Sequence, residues 1–179
     1  MRVISGRAKG LKLLAPDGLG TRPTTDRVKE SVFNILMPYI PCENVLDLFS
    51  GSGGMGIEAL SRNCTSCVFV EKDKSALGII HKNLEKSRLG ASATVISGDA
   101  LDYLKRCSTA FDLIFLDPPY NKGFLKPVFD SIYENNLLKD NGIIVVETEV
   151  LGESPDDDRF DCIKSAKYGK TVISVYKRS

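Results

Sequence analysis

Asp117-Pro118-Pro119-Tyr120 follows directly on the apolar run 111–116, and these residue types in this order suit methyl transfer to an exocyclic amino nitrogen. The lone pair of such an amine is delocalised into its ring. The nitrogen must therefore be held in line with the methyl donor, and its protons accepted as it pyramidalises. The Asp117 carboxylate and the Pro118 carbonyl can accept the two N–H bonds. Pro118 and Pro119 stiffen the backbone, and Tyr120 offers a flat face for stacking, worth about 1–3 kcal/mol per base in single-strand recognition. The structural alternative is a proline-rich turn plugged by an aromatic ring, and a second motif weighs against it.

That motif is Asp47-Leu48-Phe49-Ser50-Gly51-Ser52-Gly53-Gly54-Met55-Gly56. Gly51, Gly53 and Gly56 match G-x-G-x-x-G, in which missing side chains let a ligand approach the backbone between a strand and a helix. The pattern is weak alone, but Glu71 closes the next apolar run 20 residues after Gly51. A carboxylate there can accept hydrogen bonds from both ribose hydroxyls of an adenosine-containing cofactor. Asp47 beside the turn would repel a pyrophosphate and attract an ammonium, which favours S-adenosylmethionine over a dinucleotide. Asp99 can accept from an adenine amino group or cap the following helix, and the sequence leaves both roles open. The residues expected to line the cofactor are Asp47, Phe49, Gly51, Ser52, Gly53, Glu71, Lys72, Asp99 and Ala100.

These residues need a frame in which strand ends converge. From Asn44 onward, strand-like runs at 45–49, 67–70, 93–97, 113–116 and 143–147 alternate with helical stretches that start near Gly54, Asp73, Ala100 and Phe124. Leu77, Ile80 and Leu84 share one helix face, as do Leu125, Val128, Phe129 and Ile132. Short apolar strands separated by amphipathic helices predict an α/β fold with a parallel sheet covered on both sides. Residues 161–167 and 171–177 flank Tyr168-Gly169-Lys170 and predict a closing antiparallel hairpin.

Ahead of this frame, residues 2–5 and 11–14 read as two short strands of a hairpin, and Pro16, Gly18, Gly20 and Pro23 as a loop. Thr24, Thr25 and Asp26 can cap a helix whose apolar residues Val28, Val32, Ile35, Leu36 and Tyr39 recur at helical spacing. That helix should end near residues 38–41, dock its apolar stripe, and leave Arg27 and Lys29 outside. The expected organisation is a basic extension over 1–42 and a catalytic domain over 43–179. Arg2, Arg7, Lys9, Lys12, Arg22, Arg27 and Lys29 against Asp17 and Asp26 give residues 1–29 a net charge of +5, in a chain whose total is +1. A basic arm on a near-neutral body suits a polyanion, since phosphate neutralisation releases counterions; solvated surface charge explains it equally well.

The 179 residues, 42% of them hydrophobic, suit one globular domain with a small appendage. No apolar run approaches the roughly 20 residues that span a bilayer, and no hydrophobic stretch follows the first charges, so a soluble cytoplasmic protein without membrane association is expected. Five cysteines without an export signal predict free thiols. Cys64 and Cys67 form a C-x-x-C, but the other cysteines are scattered and His81 is the sole histidine, so no metal site is expected.

The sequence also resembles a known family, the RsmD-type 16S rRNA (guanine-N2)-methyltransferases, over nearly its whole length. Arg2-Val3-Ile4-Ser5-Gly6, Gly10-Leu11-Lys12-Leu13 and Arg22-Pro23-Thr24-Thr25-Asp26-Arg27-Val28-Lys29-Glu30 resemble that family's N-terminal signature. The motifs at 47–62, 70–73 and 117–120 match its cofactor and catalytic motifs in order. The resemblance implies a Rossmann-like fold with seven strands, S-adenosylmethionine as donor and S-adenosylhomocysteine as product. It also implies a guanine held by residues 117–120, ribose on Glu71, adenine near Asp99, and 16S rRNA within the small ribosomal subunit or an assembly intermediate as partner. A monomer is expected. The acidic stretch Asp156-Asp157-Asp158 is not diagnostic. Adenine-N6 methylation of DNA uses the same Asp-Pro-Pro-Tyr chemistry, but 179 residues leave little room for a target-recognition region. A protein-glutamine methyltransferase would resemble Asn-Pro-Pro-Tyr here. A non-catalytic assembly factor needs no intact catalytic positions, and an NAD dehydrogenase has no use for Asp47 or Asp117.

Overall fold

A computed structural model describes residues 1–15, 26–119, 123–150, 152, 155 and 157–179. Seven strands form one sheet in the order β3-β2-β1-β4-β5-β7-β6: β1 (Asn44–Leu48), β2 (Ser66–Glu71), β3 (Ala93–Ser97), β4 (Phe111–Leu116), β5 (Leu138–Glu149), β6 (Phe160–Tyr168) and β7 (Thr171–Arg178). The first five run parallel. β7 pairs antiparallel with both β5 and β6, and the predicted hairpin at the chain's end is present.

Among the described residues five α-helices cover the sheet: α1 (Asp26–Ile35), α2 (Gly54–Ser61), α3 (Lys74–Ser87), α4 (Ala100–Arg106) and α5 (Leu125–Glu134). Alternation along the strands sends successive side chains to opposite faces. Val45, Phe69, Leu113, Phe115 and Val145 meet α1, α2 and α3 on one face. Leu46, Leu48, Val70, Ile114 and Val146 meet α4 and α5 on the other. This is the doubly covered α/β sheet expected from the sequence. Two helix starts follow visible caps: Asp73 accepts from Ala76 N and Asp99 from Leu101 N.

Three details differ from expectation. β5 starts at Leu138, five residues early, and its pairing with β4 shifts between Phe111 and Leu113, because Lys139, Asp140 and Asn141 interrupt the apolar pattern without ending the strand. The N-terminal hairpin reduces to one antiparallel bridge, Arg2 to Lys12. Val3 N donates across it to the Leu11 carbonyl and Gly10 N to the Val3 carbonyl, but other donors of the segment go to α2. Ile4 N and Ser5 N donate to the Glu58 carboxylate, Arg7 N to the Ser61 carbonyl and Ala8 N to Ser61 Oγ, all on α2. Lys29, expected outside, is fully buried, with Nζ 3.0 Å from Glu58 and donating to the Arg2 carbonyl. A lysine on the docking face of α1 reaches the carboxylate that also receives Ile4, Ser5 and Arg62, and the pairing offsets only part of its desolvation, since burial still holds the amine below its usual range.

The α1 stripe docks as expected through Val28, Val32 and Leu36, joined by Phe33, in the same core cluster as Val3, Leu13 and the sheet. The 16–25 loop, with the Thr24 and Thr25 caps, lies outside the described residues. Asp26 bonds the Arg2 backbone N and Nε. No helix among the described residues is long and apolar enough to cross a membrane.

Candidate active site

β1 and β4 are parallel neighbours with Leu48 opposite Leu116, so the glycine turn and Asp117 leave the sheet at the same end. The chain runs outward from β1 to β2 and β3, then returns to lay β4 on the other side of β1. A reversal of this kind opens a crevice at the carboxyl ends of the strands, where open α/β sheets bind ligands.

The floor of the crevice is acidic. Asp47 lies on the same sheet face as Val45, and Glu147 on the same face as Val145. Asp117 stands one residue past the end of β4, between them. Asp47 is 4% exposed and accepts from Gly56 N at 2.9 Å. Burial, with the Glu71 charge added, pushes its carboxyl up to about 7 against the Gly56 hydrogen bond. Enclosure by the crevice walls and the like charges of Glu147 and Asp47 push Asp117 well above the usual carboxylate range. Its side chain is nonetheless exposed on the crevice side, so water moderates the desolvation and the like charges are the firmer cause. Such a floor disfavours its own charge until a cation or an N–H donor enters.

The turn above the floor keeps three residues in left-handed conformation: Phe49 at φ 64°, Gly51 at 54° and Gly53 at 74°. A Cβ on Gly51 would meet nothing within 4 Å, so that backbone faces open space, whereas one on Gly56 would lie 2.4 Å from the Phe69 ring. Gly51 N donates to Glu71 Oε2 at 2.9 Å, while Lys72 N and Asp73 N donate to Oε1. Glu71 thus closes one side of the turn, and each oxygen can accept again. Asp99 caps α4, and its second oxygen lies 3.7 Å from Lys72 Nζ. Ala100 begins α4 at the same rim. Phe49 meets Phe124 edge-on at 5.6 Å, and Lys72 Nζ lies 5.9 Å from the Phe124 ring centroid. Three separate loops thereby converge on one wall.

The residues fit an S-adenosyl cofactor. A buried carboxyl inclined to stay neutral can accept an ammonium, the open backbone at Gly51 leaves room for a chain, and Glu71 and Asp99 offer carboxylate oxygens as acceptors for hydroxyl and amine groups. Asp117, Pro118 and Pro119 lie beside them, while Tyr120 is outside the described residues. Neither Glu147 nor Phe124 was singled out from sequence. Glu147 repeats the Glu71 pattern, an acid closing an apolar strand, and that signal was readable.

Of the basic residues, Arg7, Lys9, Lys12 and Arg27 are exposed. The Arg7 guanidinium also donates to the Leu60 carbonyl at the end of α2. Arg2 is exposed but paired with Asp26 at 2.8 Å, and Arg22 is outside the described residues. Lys29, buried and paired, is withdrawn from the surface set. Cys64 and Cys67 are buried, and Cys42 Sγ lies 3.4 Å from Cys64 Sγ. Among the described residues no group of three or more His, Cys, Asp or Glu is placed to hold a metal.

Residues 1–177 match the family described as conserved hypothetical protein 95. Ribosomal RNA small subunit methyltransferase D of Escherichia coli (strain K12) is 39% identical over 155 residues, covering 87% of this chain and 78% of that protein. The chain belongs to the RsmD-type methyltransferase family. YlbH of Bacillus subtilis (strain 168) is 44% identical over 183 residues, 99% of each chain. The solved structure of YhhF from Escherichia coli superposes with a TM-score of 0.88 at 35% identity, covering 100% of this chain and 98% of that one. The Rossmann-like sheet of this RsmD-type methyltransferase, and the crevice at its strand ends, are therefore those of a methyl-transfer fold.

Proposed function

We propose that the chain transfers a methyl group from S-adenosylmethionine to the exocyclic N2 of a guanine in 16S rRNA of the small ribosomal subunit. The observation that carries this reading is the common end of β1 and β4, which puts the Asp117 motif and the glycine turn on one crevice. The names of the relatives support ribosomal RNA of the small subunit as substrate.

When bound, S-adenosylmethionine supplies an electrophilic methyl. The residues of the chain do the rest. Asp47 holds the cofactor's ammonium, Glu71 its ribose hydroxyls and Asp99 its adenine amine, with Phe49, Gly51, Ser52, Gly53, Lys72 and Ala100 forming the surface around them. Asp117 and the Pro118 carbonyl accept hydrogen bonds from the two amine N–H groups of a guanine splayed from its stack, the one proton released on methylation passing to the Asp117 carboxylate, and Tyr120 stacks on the base. The charge that grows on the nitrogen during transfer favours ionised Asp117, which its carboxylate neighbours otherwise oppose. Residues 1–42 form the RNA-contacting extension of a catalytic domain over 43–179, through Arg7, Lys9, Lys12, Arg22 and Arg27, with Arg2 at the margin.

Tritiated methyl transfer onto undermethylated small subunits, DNA and a release-factor protein, followed by nucleoside analysis of the labelled RNA, tests this. The expected product is N2-methylguanine in the small-subunit RNA alone. Label in adenine of DNA or in protein would replace the reading.

A further inference from the structure

The glycine turn rests on a residue that the reading above does not use. Asn83 lies on α3, fully buried, at a position of the helix's apolar stripe between Ile80 and Leu84. A primary amide there must find partners for two donors and an acceptor. It finds them in two distant segments. Oδ1 accepts from Leu14 N at 2.8 Å, while Nδ2 donates to the Leu14 carbonyl at 3.0 Å and to the Ser52 carbonyl at 2.9 Å. The paired bonds to Leu14 imitate the exchange between two strands and fix the amide plane. Nδ2 can then reach Ser52 in one direction only.

Ser52 lies between Gly51 and Gly53, both left-handed and both short of side chains to brace the turn. Helix α2 begins at Gly53 without a side-chain cap. Inside the turn, Gly53 N donates to the Ser50 carbonyl at 2.7 Å, so the path of the chain depends on where Ser52 is held. Leu14 belongs to the basic N-terminal segment, eight residues before Arg22 in sequence. A single side chain thus joins the turn that faces the cofactor to the segment that carries the basic residues.

We infer that Asn83 is a positioning residue for methyl transfer, which holds the cofactor turn in binding geometry by clamping Ser52 to the N-terminal segment at Leu14. The inference rests on the reading of the glycine turn as the cofactor site. Asn83 touches no reacting atom, and its removal acts on cofactor affinity rather than on the chemical step.

The test is calorimetric titration of S-adenosylhomocysteine into the unaltered chain and into Asn83→Leu, which keeps the branched shape of the side chain and removes all three bonds. Val175→Ala, at a fully buried position of β7 away from the turn, serves as the control for general loss of stability. The expected result is affinity roughly tenfold weaker in Asn83→Leu, the scale of one buried hydrogen bond, with KM for S-adenosylmethionine raised in parallel and kcat at saturating cofactor little changed. Val175→Ala should lower the melting temperature and leave affinity as it was. Equal affinity in Asn83→Leu and the unaltered chain overturns the inference, as does a loss of affinity in Val175→Ala that follows its melting temperature in the same way. If Asn83→Leu does not fold, Asn83→Ser, too short to span the three groups, is read against the same outcomes. An unaltered chain that fails to bind S-adenosylhomocysteine overturns the cofactor reading itself, a result distinct from equal binding by both.

Discussion

Asp117 and Asp47 sit a few side chains apart and are raised by different surroundings, which separates their expected signatures. Replacing Asp117 by alanine removes an acceptor needed as the amine pyramidalises. The expected outcome is a fall in kcat of about 10²-fold or more, with S-adenosylhomocysteine affinity within a few fold, measured by single-turnover transfer and titration calorimetry. Because its carboxyl is raised, kcat/KM should decline as pH falls through that elevated value, earlier than an ordinary aspartate would allow. Asp47 speaks through stability. Its folded carboxyl titrates at about 7 against 3.8 ordinarily, so the folded chain binds the extra proton between those values. The Asp47 contribution to stability should therefore be fully retained below about pH 4 and decrease as pH rises towards 7, by an amount on the order of 4 kcal/mol. Melting curves of Asp47→Asn should lack that decline, and S-adenosylhomocysteine should flatten it in the unaltered chain, since its ammonium stabilises the ionised carboxylate. The Asp47 and Asp117 motifs were legible because their residue types are local to one turn each. Asn83 was not, since nothing near it in sequence distinguishes a buried amide with distant partners from a polar residue on a helix surface.

Elements were readable where a cap or an apolar period defined them. Asp73 and Asp99 mark helix starts in sequence and cap them in the structure. The apolar stripes of α3 and α5 are buried as spaced. The N-terminal segment forms only a short hairpin, through the Arg2–Lys12 bridge and the bonds of Val3 N to Leu11 and Leu13 N to Met1, because the rest of its backbone is partnered by a helix 50 residues away. Glu58 and Ser61 on α2 take its backbone donors, and pairings of that kind leave no periodic trace. Close packing on the two sides of α2 makes two glycines intolerant. A Cβ on Gly6, at φ 83°, would fall 1.8 Å from the Ser61 carbonyl, so Gly6→Ala should unseat the segment from α2. Gly56→Ala would drive α2 off Phe69 and Cys67 and should cost about 1–3 kcal/mol in chemical denaturation. Removing one partner of the buried pair, as in Glu58→Gln, leaves Lys29 uncompensated and should cost about 3–5 kcal/mol.

For the molecule as a whole, the charge asymmetry seen in sequence survives, but with fewer free cations. Five described basic residues of the first 29 are exposed, and of these Arg2 is paired with Asp26, which leaves Arg7, Lys9, Lys12 and Arg27. If these four meet phosphates, the logarithm of RNA affinity should fall against the logarithm of salt with a slope of about −3 to −3.5, measured by filter binding across a salt series. A flat response would remove the segment from the RNA contact. Sequence showed the charge but not its distribution, because a lysine that neutralises a buried carboxylate looks the same in a list of residues as one that faces water.

The sequestered amine of Lys29 gives the folded chain an internal reporter. An acylating reagent added to the native protein should label Lys9 and Lys12 readily and spare Lys29, whose nitrogen no solvent-borne molecule can reach. Its first appearance in a peptide map along a denaturant series would mark the moment when α1 and the chain's beginning come away from α2, and would time that event against the collapse of the sheet.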